Sequence, residues 1–534
     1  MTPDDRPARD VPSQIARDST IVGAATVASR LLGFLRDVMI ARLLGAGPVA
    51  DAFLAALRLP NLARRVLGEG GLNAPFVPLY LAIKAERGEE AARRFTGEAT
   101  GHLGLLLLGL VVLGEIFAPW VVLGLAGGFA EEPQTLALAA HYTRLMLPFL
   151  LLTTLAAMLA AVLNAEKRFT LAALAPALMN ALLVGFLMIS LGRGLEAELA
   201  AQSQAILVSL TGLAHLGLIL FALRKMFALH ETGLARPSLR WSPEMTRLVR
   251  TGGATLLAAS TAQLVLLVAT QIASAEPGSV AALYYADRVF QLPLGFVGVA
   301  MGTVVLSEMA DSAQASGPDA RLGQALALGL ALALPAALAL FVLAEPIVSV
   351  LFEHGRFGAE DRARTAAALA GFALGLPFAV VAKVFGQVYF ARQTPRLPLL
   401  TGCLAVLVAA LAGYALAGDG NAARMAACAA SLAFLAQAVL LGIALLRDGI
   451  WRPSVTNLRP IVASLAASAI MLGVLLVLSS LLAARLAPTQ STPWRVVALA
   501  ALCTGGAFSY GAAGLLLGAF GAFPLPRYLR KRRA

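Results

Sequence analysis

Apolar residues run through this chain in long blocks from Ser19 to Phe520, parted by short segments where Arg, Asp, Glu, Gly and Pro gather. About 20 such residues are needed for a helix to cross a hydrocarbon core. The blocks predict spans at roughly 19–44, 49–82, 95–126, 134–163, 170–191, 199–223, 246–274, 279–308, 322–344, 363–390, 397–417, 422–446, 459–484 and 495–520. Outer-membrane strands would instead alternate apolar and polar residues over about ten positions, a pattern this chain lacks. The reading is an all-α polytopic membrane protein of about 14 transmembrane helices.

Composition agrees. Of 534 residues, 59% are hydrophobic and only 13% charged, where a water-soluble domain carries about 25% charged residues. The polar start, residues 1–18, lacks the apolar core and small-residue cleavage site of a secretory signal and reads as a cytoplasmic tail. Cys403, Cys428 and Cys503 fall singly inside apolar spans, which suits small core residues rather than a disulfide framework or a metal site. No Lys follows a Gly, so no phosphate-binding P-loop is present, and the five His are scattered. No enzyme chemistry can be assigned, and no cofactor is expected.

The net charge of +12 does not point to nucleic acid, because the basic residues sit in short loops between spans. Lys84, Arg87, Arg93 and Arg94, then Arg224, Lys225, Arg236 and Arg240, then the tail from Arg527 to Arg533, all fall on one side if the spans alternate. Excess Arg and Lys on the cytoplasmic side is the positive-inside bias. It places both termini in the cytoplasm.

A weak internal repeat is visible. Pro119, Val121 and Phe129 match Pro346, Val348 and Phe357; Leu147-Pro148-Phe149 recurs as Leu376-Pro377-Phe378; Leu59-Pro60 recurs as Leu292-Pro293. A repeat of six spans returns to the same side, so the two copies are expected to be parallel, as in transporters that rock two bundles around a central site. The expected organisation is a tail at 1–18, an N-lobe at 19–223, a cytoplasmic linker at 224–245, a C-lobe at 246–446, two extra helices at 459–520 and a basic tail at 521–534.

Charges interrupt the first, second and eighth spans. Arg30, Arg36, Asp37 and Arg42 lie in the first; Asp51, Arg58, Arg64, Arg65 and Glu69 in the second; Asp287 and Arg288 in the eighth. Each charge at a helix centre costs about 2.5–3.5 kcal/mol on the insertion scale, so these faces must line water or pair internally. Residues seven apart nearly coincide around a helix, which aligns Arg30 with Asp37, and Asp51 with Arg58 and Arg65. Arg36 joins that face only if the helix bends, and Gly33 is the expected bend. Asp51 and Asp287 cannot neutralise so many guanidiniums, and the surplus suits phosphate or carboxylate, which guanidinium binds bidentately while remaining charged. Lys383 is a lone cation in the tenth span.

The segment Ser29-Arg30-Leu31-Leu32-Gly33-Phe34-Leu35-Arg36-Asp37 resembles the signature of the MurJ (MviN) lipid II flippase family. The likeness continues through Asp51-Ala52-Phe53, Pro60-Asn61-Leu62, Arg64-Arg65 and Glu69-Gly70 to Phe76-Val77-Pro78, and returns at Tyr284-Tyr285-Ala286-Asp287-Arg288. It implies the multidrug/oligosaccharidyl-lipid/polysaccharide exporter superfamily, whose members have two six-helix lobes in a V around a cationic cavity. In the family, two further helices form a groove for a polyprenyl tail. The implied substrate is undecaprenyl-pyrophosphate-linked disaccharide-pentapeptide, moved from inner to outer leaflet; cell-wall synthesis proteins are conceivable partners besides membrane lipids.

On this resemblance Arg30, Arg36, Asp51, Arg64 and Arg288 are the substrate-binding candidates. Asp37, Arg58, Arg65, Glu69, Asp287 and Lys383 form a second tier. Gln291 stands where relatives often have an acid. Coupling to membrane potential, Na+ or H+ is left open. The rival readings are a flippase for another polyprenyl-pyrophosphate glycan, a cation-coupled multidrug exporter, and a non-transporting scaffold.

Overall fold

A computed structural model describes residues 11–63, 73–228, 236–311, 318–392, 394, 396–416, 421–452 and 455–522. Every regular element among them is helical, as lipid requires, since a helix satisfies its own backbone polar groups. The α-helices in chain order are α1 (Val11–Leu44), α2 (Pro48–Ala63), α3 (Asn73–Ile116), α4 (Ala118–Leu125), α5 (Pro133–Ala165), α6 (Phe169–Gly192), α7 (Ala197–Ala228) and α8 (Pro243–Ala273). They continue with α9 (Ser279–Asp311), α10 (Pro318–Val342), α11 (Ala344–Phe352), α12 (Ala359–Ala391), α13 (Arg396–Ala415), α14 (Ala422–Arg447), α15 (Val455–Leu486) and α16 (Thr492–Leu517).

Two breaks have a plain local cause. Gly45 takes φ 70° between α1 and α2, a left-handed conformation natural to glycine, and Pro48 then opens α2 where a missing N–H costs nothing. Gly88, at φ 83° and ψ 177°, interrupts α3 amid a charged stretch. Among the described residues ten helices are long and apolar enough to cross a membrane: α3, α5, α6, α7, α10 and α12 to α16. Of the expected spans, α1, α2, α8 and α9 are outside that set; α2 has only 16 residues, and α1 carries Arg30, Arg36, Asp37 and Arg42.

The chain forms two compact units. The first comprises Met1–Leu44, Pro48–Gly124 and Phe129–Ser260. Within it α5 packs against α2, α3 and α7, while α6 packs against α1 and α7. Small residues let the helices approach, as is common when lipid removes the usual drive for burial. The space a Cβ would fill at Gly114 lies 2.9 Å from the Leu147 side chain, and that at Gly212 lies 2.9 Å from Phe149. Around Phe76, stacked on Phe95 at 5.4 Å and on Tyr80 at 6.0 Å, a core gathers Met158, Leu163, Ile219 and Phe227.

At that end of the unit the polar groups pair. Tyr80 Oη donates to Glu166 at 2.9 Å, and Lys84 bonds the same carboxylate at 2.5 Å. Arg87 reaches Glu244 at 2.6 Å. The Glu244 carboxyl is held below its ordinary range by a hydrogen bond to its own backbone amide and by Arg87. The backbone of Ser238 donates to Gly97 O at 3.0 Å, tying the segment before α8 to α3.

The second unit comprises Gly45–Gly47, Leu125–Gly128 and Thr261–Ala534, so the division falls inside α8. Here α12 packs against α9, α10 and α14, and α10 carries the α15–α16 pair. Gly371 and Gly375 face Ala427 and Ser431 of α14, and Ser431 Oγ donates to Gly371 O at 2.7 Å. Phe290 of α9 stacks on Phe372 at 5.2 Å and on Phe434 at 6.3 Å. The two short turns are bound through their backbones: Tyr285 Oη donates to Gly45 O at 3.0 Å, and the Gly128 amide donates to Ser274 Oγ at 2.9 Å.

The α15–α16 pair is fixed to α10 and α11 by an apolar cluster of Leu343, Met471, Leu475, Leu502 and Tyr510. Tyr510 Oη also donates to Ala331 O at 2.5 Å. Arg495, buried at the start of α16, donates to Ser349 O at 2.6 Å, to Glu353 at 3.0 Å and to the Ser349 hydroxyl.

Candidate functional site

In the first unit the candidate charges descend α1 and α2. At 1.5 Å per residue, Arg36 lies about 12 Å and Arg30 about 21 Å along α1 from its end at Leu44. Arg30 is exposed at that depth, whereas Asp37 is 1% exposed. The shared face predicted for Arg30 and Asp37 thus holds one exposed and one buried charge. Seven residues put them on one side but about 10 Å apart along the axis, beyond salt-bridge reach.

Asp37 instead takes its neighbour. Arg36 Nε and Nη2 both donate to Asp37 Oδ1, at 3.0 and 2.8 Å. Its Nη1 donates to Asn180 Oδ1 on α6 at 3.2 Å. Arg36, counted by sequence among the surplus cations, thus has its own carboxylate. Gly33 does not break α1, which runs as one helix from Val11 to Leu44. It lies against α6: a Cβ there would meet the Asn180 amide nitrogen at 3.4 Å, an ordinary contact.

On α2, Asp51 is 1% exposed and sits in the first turn, where unpaired backbone N–H groups favour a carboxylate. Arg58 follows two turns later and is partly buried, and α2 stays helical through Pro60 to Ala63. Arg64, Arg65 and Glu69 lie outside the described residues.

The second unit holds Arg288 on α9, partly buried after a fully buried run from Val280 to Asp287. Its guanidinium lies 4.5 Å from the Tyr284 ring centroid and donates to the Tyr284 hydroxyl at 2.6 Å. The adjacent Asp287, 6% exposed, accepts a 2.5 Å hydrogen bond from Gln291. An amide at position 291 therefore serves the carboxylate directly, where a second acid would repel it. Lys383 is exposed on α12. Among the described residues no cluster of His, Cys, Asp and Glu could hold a metal ion.

Sequence reasoning missed three partners. Asn180 is a single amide midway along an otherwise apolar α6, and an isolated intramembrane amide was the signal for it. Tyr284 lies one turn before Arg288 on α9, a spacing that helical geometry makes adjacent. Arg495, buried at the start of α16, went unremarked in the sequence, since nothing local sets a basic residue at a span terminus apart from an interfacial one.

The family model for the lipid II flippase MurJ matches residues 40–497. The chain belongs to that family. A curated relative from Rhizobium meliloti (strain 1021), "Probable lipid II flippase MurJ", is 35% identical over 485 residues, covering 90% of each chain. A solved structure, "Lipid II flippase MurJ, inward closed conformation", aligns at TM-score 0.76 and 22% identity over 96% of this chain and 100% of that one. An inward-facing multidrug resistance MATE transporter of the MOP superfamily aligns at TM-score 0.61 and 15% identity over 79% of this chain and 94% of its own. These likenesses give the chain the fold of MurJ and MATE transporters. It is a multi-pass membrane protein.

Proposed function

We propose that this chain is a lipid II flippase, a transporter rather than an enzyme. It carries undecaprenyl-pyrophosphate-linked disaccharide-pentapeptide from the inner to the outer leaflet of the cytoplasmic membrane by alternating access. One observation carries the reading beyond family membership: Arg30 is exposed about 21 Å along a membrane helix from its end. A guanidinium at such depth is not stable against lipid tails, so that face of α1 looks onto water. Anion capture explains why a positive charge is kept there. Arg30, Arg36, Arg64 and Arg288 hold the pyrophosphate, with Asp51 orienting an arginine or resetting the empty site, while the prenyl chain stays in lipid along α15 and α16.

The same reading sets the architecture: fourteen spans, parallel six-helix lobes at 19–223 and 246–446, and both termini cytoplasmic. Supporting the repeat, α3–α4–α5 and α10–α11–α12 share a long-short-long order. Phe129 and Phe357 are both buried after the short helices, and Pro148 and Pro377 sit inside the long ones. An inside-negative potential favours outward movement of the anion by about 2.3 kcal/mol per charge per 100 mV, whether or not an ion is also coupled. Cationic drugs would be repelled by Arg30 and Arg288, which argues against multidrug export on this fold.

The test is complementation of a flippase-depleted strain with leaflet-resolved labelling of the lipid precursor. Arg30→Ala and Arg288→Ala are expected to abolish rescue while expression persists. Full rescue by both would refute the anion-site assignment, and labelled precursor remaining in the inner leaflet with the unaltered chain would refute the function.

A further inference from the structure

Asn180 lies midway along α6, eleven residues from Phe169 and twelve from Gly192, about 16–18 Å from either end of the helix. The side chain is partly buried there, and the part of the amide turned into the protein needs protein partners. It finds them on α1 with both halves of the group. Nδ2 donates to Ser29 O at 3.1 Å and to Ser29 Oγ at 3.4 Å. Oδ1 accepts from Arg36 Nη1 at 3.2 Å. The orientation is dictated by chemistry, since guanidinium can only donate and a backbone carbonyl can only accept. Gly33 lies between the two contact points, directly beneath the amide.

We infer that Asn180 is a positioning residue for anion binding: it fixes the direction of the Arg36 guanidinium without neutralising it. Asp37 approaches Arg36 through Nε and Nη2, while Asn180 takes a hydrogen on Nη1. Two anchors of different direction define the plane of the fork, and a planar fork is what bidentate phosphate recognition needs. A neutral amide suits this task better than an acid, because Asp37 already balances the guanidinium and a second carboxylate would leave the group net negative and repel the phosphate. The inference rests on the proposed role of Arg36 in holding a pyrophosphate.

Binding of undecaprenyl pyrophosphate to the full chain in detergent micelles tests it, using Arg36→Ala, Asn180→Leu, Asn180→Asp and the double variant Arg36→Ala/Asn180→Leu. Asn180→Leu keeps the volume and removes all three bonds. It is expected to weaken binding about tenfold, in keeping with loss of one hydrogen bond to a charged group. Asn180→Asp keeps an acceptor for Arg36 and adds a charge, and it is expected to weaken binding at least as much while remaining folded. In the Arg36→Ala background, Asn180→Leu is expected to have no further effect. A merely structural role would instead weaken both backgrounds equally, and the inference would then be wrong. It is equally overturned if Arg36→Ala weakens binding but neither Asn180 variant does. Unchanged binding by Arg36→Ala overturns the underlying assignment of Arg36, a separate failure from that of Asn180.

Discussion

Removing the Arg495 side chain should loosen the α15–α16 pair from the helices that carry it. Its Nη2 serves Ser349 O, the Ser349 hydroxyl and Glu353, with the arginine side chain 5% and the Glu353 side chain 13% exposed. Deleting one partner of a buried ion pair costs about 3–5 kcal/mol when the other charge is left bare. Glu353 is not left bare, because Arg362 also holds it at 2.7 Å. The cost should therefore fall to that of a charge-assisted hydrogen bond plus an unsatisfied carbonyl, about 2–3 kcal/mol. Arg495→Met, close in length and apolar, isolates this loss. Reversible unfolding in mixed micelles, with Glu353→Gln alone and combined, should return a coupling energy above about 1 kcal/mol. Hydrogen exchange should rise around Met471 and Leu502 more than in α12. An Arg495→Met protein within about 0.5 kcal/mol of the parent would refute the reasoning, since a change of that size is what an uncoupled surface site produces.

Other consequences are as direct. Gly375→Val would place atoms 2.8 Å from the Ser431 Cα, so α12 and α14 should separate at a cost of about 1–3 kcal/mol, read as a lower unfolding midpoint. Tyr284→Phe keeps the ring under Arg288 and removes only the hydroxyl contact; undecaprenyl-pyrophosphate affinity should fall several-fold, less than for Tyr284→Ala, which removes both. The Glu244 carboxyl lies below its ordinary range, so its contribution to stability is present above the unfolded value of about 4.3 and is lost as pH falls through the lower folded value. Arg87→Ala should thus cost less than about 1 kcal/mol at pH 6, and parent and variant should converge near pH 3.

Much of the helical layout was legible because an apolar run is its own signal for lipid. The spans read at 134–163, 170–191 and 422–446 meet α5 at 133–165, α6 at 169–192 and α14 at 422–447 within a few residues. The block read as 49–82 was harder, since α2 ends its described course at Ala63 and α3 begins at Asn73. The break at Gly88 was legible in outline, because the spans read at 49–82 and 95–126 leave it in the charged gap between them, where α3 departs from helical backbone. At the site, residue types were readable and pairings were not. Helical spacing set Arg30 and Asp37 on one face, but it could not tell that the Asp37 carboxylate takes the adjacent Arg36. The partners Asn180 and Glu353 lie 144 and 142 residues from Arg36 and Arg495, distances no local pattern can bridge.

The contact between Arg36 and Asp37 sets a limit on how tightly any guest can be held. A guanidinium with a resident counter-ion one residue away never stands bare, so an arriving phosphate gains only the difference between itself and the carboxylate it supplants. The same carboxylate waits to reclaim the guanidinium when the guest departs. A carrier must let go as readily as it takes hold, and an acid built into the chain beside the cation makes departure an exchange of partners rather than the creation of a lone charge within the membrane.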